Sequence, residues 1–262
     1  MMPKIKATVE ILAYNNQATI DKTLASVADF DEILVIDGGS TDRTRDIARQ
    51  YGATILEQDA RGKRDGQIAD FSLIRNQGLI AAKHDWFLFV DSDELLTQDL
   101  VEEIRSVVVN EMPHSYVWWA PRKYVYNGKV IDCATTYPNF QMRFFHRRHV
   151  EGFVKEIHER ILSSSGESIG KLRHCILVPI PEREVLWKKW SRYVLLEEER
   201  LRGSSRRDIL VKAFNTLKAA ALYALRLPRF WICRGNHTPF WYEFLQQRYQ
   251  FTLLRMLLRN LL

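Results

Sequence analysis

The sequence is poor in cysteine and lacks any long uninterrupted apolar run. It has three cysteines in 262 residues, Cys133, Cys175 and Cys233, and no two of them form a Cys-x-x-Cys pair. This spacing argues against a zinc site or a disulfide framework and favours a reducing cytoplasm. No uncharged apolar run approaches the ~18 residues that a membrane-spanning helix requires. The first residues lead directly into a strand-like pattern, so we expect no secretory signal.

Two common nucleotide-binding fingerprints are also missing. The sequence contains neither the Gly-x-Gly-x-x-Gly pattern of dinucleotide-binding folds nor the Gly-x-x-x-x-Gly-Lys phosphate loop. Its composition is nevertheless ordinary for a folded protein, since 46% of its residues are hydrophobic and 27% are charged. A chain of this length can form one large core, or one core with a small appendage.

The positive charge is concentrated towards the C-terminal end. The formal net charge is +6, yet residues 182–262 hold 16 Lys and Arg against 7 Asp and Glu, a balance of +9. Residues 1–181 hold 22 against 25, a balance of −3. Such an asymmetry indicates two regions that face different partners. We therefore place a domain boundary near residue 181, where the two prolines of VPIPE (178–182) interrupt the pattern.

Strand and helix patterns alternate over the first 110 residues. Continuous apolar stretches predict strands, and amphipathic stretches between them predict helices. The predicted strands are ATVEILAYN (7–15), EILVIDGGS (32–40), ATILEQ (53–58) and WFLFVDSDE (86–94), and the predicted helices are 18–30, 40–52, 67–83 and 97–109. This alternation predicts an α/β fold with a mostly parallel sheet covered on both faces.

The pattern changes to short strands and turns over residues 116–180. Asn127-Gly128 between β-rich runs is a strong hairpin signal, so we expect antiparallel strands added to the parallel sheet. After residue 181 nearly all of the sequence favours helix. The expected organisation is an α/β domain over 1–181, followed by a basic, amphipathic helical region over 182–262.

Polar clusters follow three of the predicted strands: Tyr14-Asn15, Asp37-Gly38-Gly39 and Asp91-Ser92-Asp93. In a parallel α/β sheet, ligands bind beyond the carboxyl ends of the strands. We therefore expect the three clusters to meet at one edge of the sheet.

The third cluster crowds carboxylates directly after five apolar residues. Asp91, Asp93 and Glu94 repel one another unless a positive group lies among them. Mg²⁺ and Mn²⁺ prefer oxygen ligands and commonly use one or two carboxylates together with the phosphate oxygens of a substrate. The sequence therefore predicts a divalent metal at Asp91 and Asp93. The alternative is that Asp93 or Glu94 simply caps the helix that follows.

Four stretches of the sequence, taken together, are characteristic of one family. They are EILAYNNQATIDKTLASV, EILVIDGGSTDRTRDIARQYGA, RNQGLIAAKHDWFLFVDSDE, and YPNFQMRFFHRR with VKEIHE, in this order within residues 5–160. The set resembles the family 2 glycosyltransferases, and within them the branch that builds lipopolysaccharide core and related bacterial surface glycans. The resemblance implies a GT-A fold, a nucleotide-diphosphate sugar donor, a divalent metal and usually inversion at the anomeric carbon.

The resemblance also implies a donor site built from all three polar clusters. In that site Asp37 contacts the base, Arg75 lies near the donor phosphates, and Asp91 and Asp93 bind metal and ribose. The residues implied to bind the nucleotide sugar are Ala13, Tyr14, Asn15, Asp37, Gly38, Arg75, Asp91 and Ser92, and Asp93 is given a catalytic role as well. An arginine and a metal both neutralise a leaving diphosphate, which supports these roles independently.

Inverting transfer needs a base that takes the proton of the acceptor hydroxyl. By resemblance, Glu159 is the first candidate, and His158 is a third metal ligand or an acceptor contact. The alternative is that this His-Glu is an ordinary surface pair. Asp132 is the second candidate base. Relatives often carry Tyr-Pro-Asp where Asn139 stands here, and an asparagine cannot perform acid–base work that such an aspartate performs.

Two further features are not explained by strand patterns. Glu10 lies in the middle of a predicted buried strand, so it either reaches the strand end or pairs with a basic residue. Arg143, Arg147 and Arg148 lie among aromatic residues in QMRFFHRRHV (141–150). This segment suits an anionic acceptor, and the alternatives are nucleic acid or a core strand with a charged rim.

Two basic amphipathic stretches, 208–235 and 241–262, predict contact with a membrane surface. Arg248, Arg255 and Arg259 share one side of the second helix, and Phe and Leu occupy much of the rest. Helices of this kind lie in the plane of the membrane interface. The alternatives are packing on the α/β domain or on a second subunit.

Together these features predict an inverting glycosyltransferase that uses Mg²⁺ or Mn²⁺. It is expected at the cytoplasmic face of the membrane, with a lipid-linked or cell-surface glycan as acceptor and without nucleic acid as a partner. One alternative is a sugar-phosphate nucleotidyltransferase, which releases pyrophosphate rather than a nucleoside diphosphate. The other is a non-catalytic protein whose basic tail binds membrane or nucleic acid.

Overall fold

Residues 3–64, 66–155, 160–201 and 203–261 are described by the computed structural model. The chain divides into two units, one of Met1–Lys123 with Asn139–Val178 and one of Tyr124–Pro138 with Pro179–Leu262. The domain boundary predicted near residue 181 places Tyr124–Pro138 in the first domain, whereas in the structure this segment groups with the C-terminal helices.

Strands and helices alternate through the first unit, and long helices dominate the end of the chain. The strands are β1 Ile5–Ala13, β2 Phe30–Asp37, β3 Thr54–Glu57, β4 Lys63–Arg64, β5 Gln67–Ile68, β6 Trp86–Asp91, β7 Leu95–Leu96, β8 Val117–Tyr126, β9 Lys129–Val130, β10 Phe140–His146, β11 Val150–Val154, β12 Arg160–Ser163, β13 Ile169–Lys171 and β14 Ile176–Pro179. The helices are α1 Ile20–Ser26, α2 Thr44–Gln50, α3 Phe71–Ala81, α4 Gln98–Val108, α5 Arg183–Leu201, α6 Arg206–Ile232 and α7 Phe240–Arg259.

The first unit is built on a sheet whose parallel strands β3, β2, β1 and β6 are followed by antiparallel β10 and then by β8. The register places Ala13 beside Asp37 and Leu12 beside Asp91. The carboxyl ends of three strands therefore meet at one edge, as predicted. One buried cluster holds Leu24 of α1, and a second holds Ile74 of α3, so apolar packing covers both faces.

Helix α3 carries Arg75 towards this edge, and Asp70 fixes the N-terminus of the helix. The Asp70 side chain accepts a hydrogen bond from the backbone N–H of Leu73 at 3.0 Å. An N-cap of this kind satisfies one of the N–H groups that have no partner within the helix.

We expect Asp70→Ala to lower the free energy of unfolding by about 1 kcal/mol, because it removes the capping oxygen. Denaturant unfolding followed by circular dichroism measures the change. Asp99→Ala is the matched control, since Asp99 lies in the first turn of α4 while Thr97 caps that helix. An equal loss in both variants would show that first-turn charge, rather than the cap, stabilises these helices.

The second unit contains a disulfide that the sequence analysis did not predict. Cys133 and Cys233 are bonded, with their Cα atoms 6.0 Å apart and a sequence separation of 100. The expectation of no disulfide is wrong, because folding brings together two cysteines whose spacing gives no sign of pairing. The cysteines therefore lend no support to a reducing compartment.

The C-terminal helices pack on one another, with α7 contacting both α5 and α6. Leu253, Met256 and Leu257 of α7 lie in a buried cluster with Ile209 and Ala213 of α6. None of the described helices is both long enough and apolar enough to cross a membrane.

Candidate active site

The loops that follow β1 and β2 are tied to each other. The backbone N–H of Asn15 donates to Ser40 Oγ at 2.9 Å, and Asn15 Oδ1 accepts from the backbone N–H of Thr41 at 2.9 Å. Asn15 has a φ of 53°, a left-handed conformation that asparagine tolerates better than most residues. Tyr14 beside it is half exposed. These bonds bring Tyr14 and Asn15, two residues predicted to bind the donor, next to the loop that carries Gly38.

Gly38 lies in close contact with its neighbours. Its N–H donates to the carbonyl of Ala13 at 2.8 Å. A Cβ at this position would lie 3.0 Å from Tyr14 Cδ2 and 3.1 Å from Gln58 Oε1. Lys63 Nζ donates to the Gly38 carbonyl at 2.6 Å. The structure thus groups Ala13, Tyr14 and Gly38, and it adds a cation, Lys63, that the sequence analysis missed.

The carboxylate of Asp37 is fully buried and holds this loop. Asp37 Oδ2 accepts from the backbone N–H groups of Gly39 at 3.0 Å and of Ser40 at 2.9 Å. Arg45 Nε lies 3.1 Å from the same oxygen. The predicted contact of Asp37 with a nucleotide base stays a prediction, and in the structure its oxygens are engaged by the protein itself.

Asp42 connects the loop after β1 to the start of α2. Its Oδ2 accepts from the backbone N–H of Gln17 at 3.1 Å, and its Oδ1 accepts from the backbone N–H of Thr44 at 3.0 Å. Burial raises the pKa of Asp42, but the hydrogen bonds from Thr44 and Gln17 outweigh it, so the pKa lies below its ordinary value. These bonds fix a loop where the sequence predicted helix, and α2 begins only at Thr44.

At the end of β6, Asp91 is held by arginines from two other elements. Arg75 Nη2 of α3 donates to Asp91 Oδ1 at 2.7 Å, and Arg143 Nη2 of β10 lies 3.5 Å from Asp91 Oδ2. Both guanidinium groups lie over the Phe89 ring, 4.8 and 4.6 Å from its centroid. The Asp91 side chain is still 44% exposed. The structure therefore brings together Arg75 and Asp91, as the predicted site requires.

Arg75 is also paired with Glu10 in the protein interior. Arg75 Nη1 lies 3.0 Å from Glu10 Oε2, and the two side chains are 1% and 0% exposed. The expectation that Glu10 pairs with a basic residue is confirmed. Gly78, one turn after Arg75, leaves room for the carboxylate, because a Cβ there would lie 2.0 Å from Glu10 Oε1.

Glu94 is fully buried and belongs to the same network of charges. Its Oε1 accepts from Nη2 of Arg122 and, at 3.2 Å, from Nη2 of Arg143. Its Oε2 accepts from the backbone N–H of Asp91 at 3.0 Å. Glu94 thereby fixes the turn that follows β6.

The N-cap of helix α4 is neither Asp93 nor Glu94. Thr97 is the N-cap, and its Oγ1 accepts from the backbone N–H of Leu100 at 3.3 Å. The alternative in which Asp93 or Glu94 merely caps the next helix is therefore wrong.

Arginines offset the repulsion among the carboxylates at this edge. The pairs are Arg75 with Glu10 and Asp91, Arg122 with Glu94, and Arg143 with Asp91 and Glu94. The sequence pattern predicted that a metal ion offsets this repulsion, whereas in the structure arginines of α3, β8 and β10 do so. Buried carboxylates require such partners, because an unpaired charge in the interior is costly.

Asp91 and Asp93 still offer the chemistry that Mg²⁺ or Mn²⁺ requires. Asp91 is partly exposed, and Asp93 is partly exposed on the turn that follows, with Ser92 buried between them. Two accessible carboxylates fit a metal that takes its other ligands from phosphate oxygens or water. Within the described residues, no group of three His, Cys, Asp or Glu is arranged to hold a metal by itself.

Neither candidate base is among the residues that the structure groups at the end of β6. His158 and Glu159 lie outside the described residues, so their roles stay predictions. Asp132 belongs to the second unit, where its Oδ2 accepts from the backbone N–H of Asn236 at 3.2 Å.

Comparison with known proteins finds similarity over the first part of the chain. Residues 8–124 match the family model described as Glycosyl transferase family 2. A TPR repeat-containing protein of Synechococcus elongatus is 34% identical over 143 residues, which are 54% of this chain and 32% of that protein. The SPbeta prophage-derived glycosyltransferase SunS of Bacillus subtilis is 36% identical over 101 residues, which are 38% of this chain and 23% of SunS. The chain thus spans no more than 32% of the length of either relative.

The fold is similar to that of solved glycosyltransferases. The mannosyltransferase PcManGT of Pyrobaculum calidifontis, solved with GDP-Man and Mn²⁺, superposes with a TM-score of 0.53 at 15% identity, covering 99% of this chain and 89% of that chain. This likeness shows the fold alone, and it confirms the predicted GT-A architecture with C-terminal helices. Residues 8–124, which make up less than half of the chain, are therefore similar to the family 2 glycosyltransferases.

Proposed function

We propose that this protein transfers a sugar from a nucleotide-diphosphate sugar to a lipid-linked or cell-surface glycan, with inversion and with a divalent metal. The end of β6 carries the proposal: Asp91 and Asp93 follow a buried strand at the edge where β1 and β2 also end. The relative SunS is named a glycosyltransferase, and PcManGT was solved with GDP-Man and Mn²⁺.

In the proposed reaction, the donor lies at the carboxyl edge of the parallel strands. Ala13, Tyr14 and Gly38 border the nucleoside, and Lys63 places positive charge beside the same loop. The acceptor oxygen bonds to the anomeric carbon while the bond from that carbon to the diphosphate breaks, and the acceptor proton passes to a base. Positive charge on this edge favours the reaction, because the diphosphate gains negative charge as it leaves.

Asp91 and Asp93 would hold the metal, which when bound supplies a Lewis acid for the leaving diphosphate. The contribution of Arg75 is to orient Asp91. Because Arg75 is almost fully buried and bonded to Asp91 Oδ1, it restricts the orientation of this carboxylate. Glu10 in turn fixes Arg75 from the interior.

The acceptor side of the proposal rests on sequence motifs. We assign the base to Glu159, with Asp132 as the alternative, and His158 to a metal or acceptor contact. Residues 141–150 suit an anionic acceptor, since they hold Arg143, Arg147 and Arg148. We also propose that the protein belongs to the lipopolysaccharide-core branch and that it works at the cytoplasmic face of the membrane. The positive charge of residues 182–262 supports the location at the membrane.

We expect one nucleotide-diphosphate sugar to raise the melting temperature of the protein, and to do so more strongly with Mn²⁺. A ligand at 100 times its Kd stabilises the folded form by about 2.7 kcal/mol. The measurement is a thermal-shift screen of UDP-, dTDP-, ADP- and GDP-sugars, each with Mn²⁺ and with EDTA. Mn²⁺ alone and the free sugars are controls. Failure of every donor to shift the transition would contradict the proposal.

The product distinguishes the proposed function from the nucleotidyltransferase alternative. Sugar transfer releases a nucleoside diphosphate, whereas a nucleotidyltransferase acting on a nucleoside triphosphate and a sugar phosphate releases pyrophosphate. A coupled assay for nucleoside diphosphate with the donor found in the screen, and a coupled assay for pyrophosphate with the corresponding nucleoside triphosphate and sugar phosphate, decide between them.

A further inference from the structure

Helix α6 has two apolar faces, and only one of them is buried. One face contributes Ile209 and Ala213 to the cluster that it shares with α7. Large apolar side chains elsewhere on α6 are exposed to solvent: Leu210 56%, Val211 54%, Phe214 67%, Leu217 52%, Leu222 42%, Leu225 78%, Trp231 70% and Ile232 80%.

Five of these side chains, namely Leu210, Phe214, Leu217, Leu225 and Ile232, form one stripe along the helix. They follow one another at intervals of four, three, eight and seven positions, all of which return to the same side of an α-helix. From Leu210 to Ile232 the stripe is about 33 Å long at 1.5 Å per residue. Single exposed apolar residues need no explanation, but a continuous stripe of this length marks a surface that binds something.

Charge indicates what that surface binds. Helix α6 holds six Lys and Arg but only one acidic residue, Asp208. Lys218 is exposed beside the stripe, and Arg206 and Arg207 are exposed at its start. Apolar side chains flanked by cations match an anionic lipid bilayer, where the apolar groups enter the acyl boundary and the cations meet the head groups.

Two other occupants fit this surface less well. Nucleic acid would use the cations, but an aliphatic stripe gains nothing from a phosphate backbone. A second copy of this chain would bring a region with a balance of +9 against an identical one, and like charges at that contact repel.

We propose that the stripe from Leu210 to Ile232 is the surface by which this protein binds an anionic lipid bilayer, with α6 lying in the plane of the interface. A lipid bilayer would be a partner of the proposed enzyme. The link between this surface and a lipid-linked acceptor rests on the proposed function, whereas the surface itself does not. It involves none of the residues assigned to the donor.

The test compares two double variants in vesicle sedimentation. Wild-type protein is expected to pellet with vesicles of phosphatidylcholine and phosphatidylglycerol, and much less with phosphatidylcholine alone or at high salt. Phe214→Ser with Leu225→Ser should weaken partitioning to the anionic vesicles by about tenfold or more, because it removes two of the most exposed apolar groups of the stripe. Both positions are exposed, so circular dichroism should show an unchanged fold.

Phe251→Ser with Leu258→Ser on α7 is the matched control. It removes the same two residue types at positions that are 61% and 49% exposed, and it should leave vesicle binding nearly unchanged. Equal losses in both variants, or no wild-type binding, would overturn the proposal. So would an α6 variant that binds like wild type, or a dimer in vesicle-free solution that the α6 variant alone abolishes.

The donor thermal shift keeps this proposal separate from the proposed function. Loss of vesicle binding alongside an intact donor shift is the result expected for the α6 variant. If wild-type protein binds vesicles but no donor shifts its melting temperature, the proposed function fails while the lipid surface stands.

Discussion

Asp93→Asn is expected to lower kcat/KM for sugar transfer at least about a hundredfold, or about 2.7 kcal/mol of transition-state stabilisation. The substitution keeps the size of the side chain but removes one charge from the pair proposed to hold the metal. Asp93 is partly exposed on the turn after β6, so we expect the melting temperature to change little. The rate of nucleoside diphosphate release, measured over a series of Mn²⁺ concentrations, gives the result.

Asp99→Asn is the matched control for this variant. It makes the same chemical change in the first turn of α4, at an exposed position six residues further along the chain. Its rate should equal that of wild type. If Asp93→Asn keeps more than half of the wild-type kcat/KM and the same Mn²⁺ dependence, the turn after β6 is not where the donor diphosphate is bound.

The position of the candidate site was predictable from sequence because it depends on local patterns. Apolar strands ending in polar residues predicted β1, β2 and β6, and the rule for parallel sheets then placed Ala13, Asp37 and Asp91 at one edge. The prediction used no information on tertiary contacts, and the observed strand register confirms it. The ion pairs among the side chains at this edge could not be predicted in the same way.

The charge partners were missed because pairing between distant segments leaves no periodic signal. Arg122 and Arg143 come from antiparallel strands far along the chain, yet both neutralise Glu94, and Arg143 also contacts Asp91. The Cys133–Cys233 disulfide was missed for the same reason. Of this network, only Glu10 gave a usable signal, since a carboxylate within a buried strand implies a basic partner.

Gly78→Ala is expected to lower the free energy of unfolding by about 2 to 4 kcal/mol, through overpacking against a buried ion pair. In an ordinary helix interior the same change would stabilise by about 1 kcal/mol, because alanine is the better helix former. The sign reverses here because the new Cβ would lie 2.0 Å from Glu10 Oε1. The carboxylate must then move, and its 3.0 Å contact with Arg75 moves with it. Denaturant unfolding measures the change.

A double-mutant cycle with Glu10→Ala isolates this collision. Glu10→Ala alone is destabilising, since it removes one partner of the buried Arg75. Once the carboxylate is gone, Gly78→Ala should be neutral or stabilising by up to about 1 kcal/mol. An equal cost of Gly78→Ala in both backgrounds would rule out the collision as its cause.

Because Arg75 links Glu10 to Asp91, Glu10→Ala should also weaken the Mn²⁺-dependent donor shift. An unchanged shift would restrict Glu10 to a role in folding.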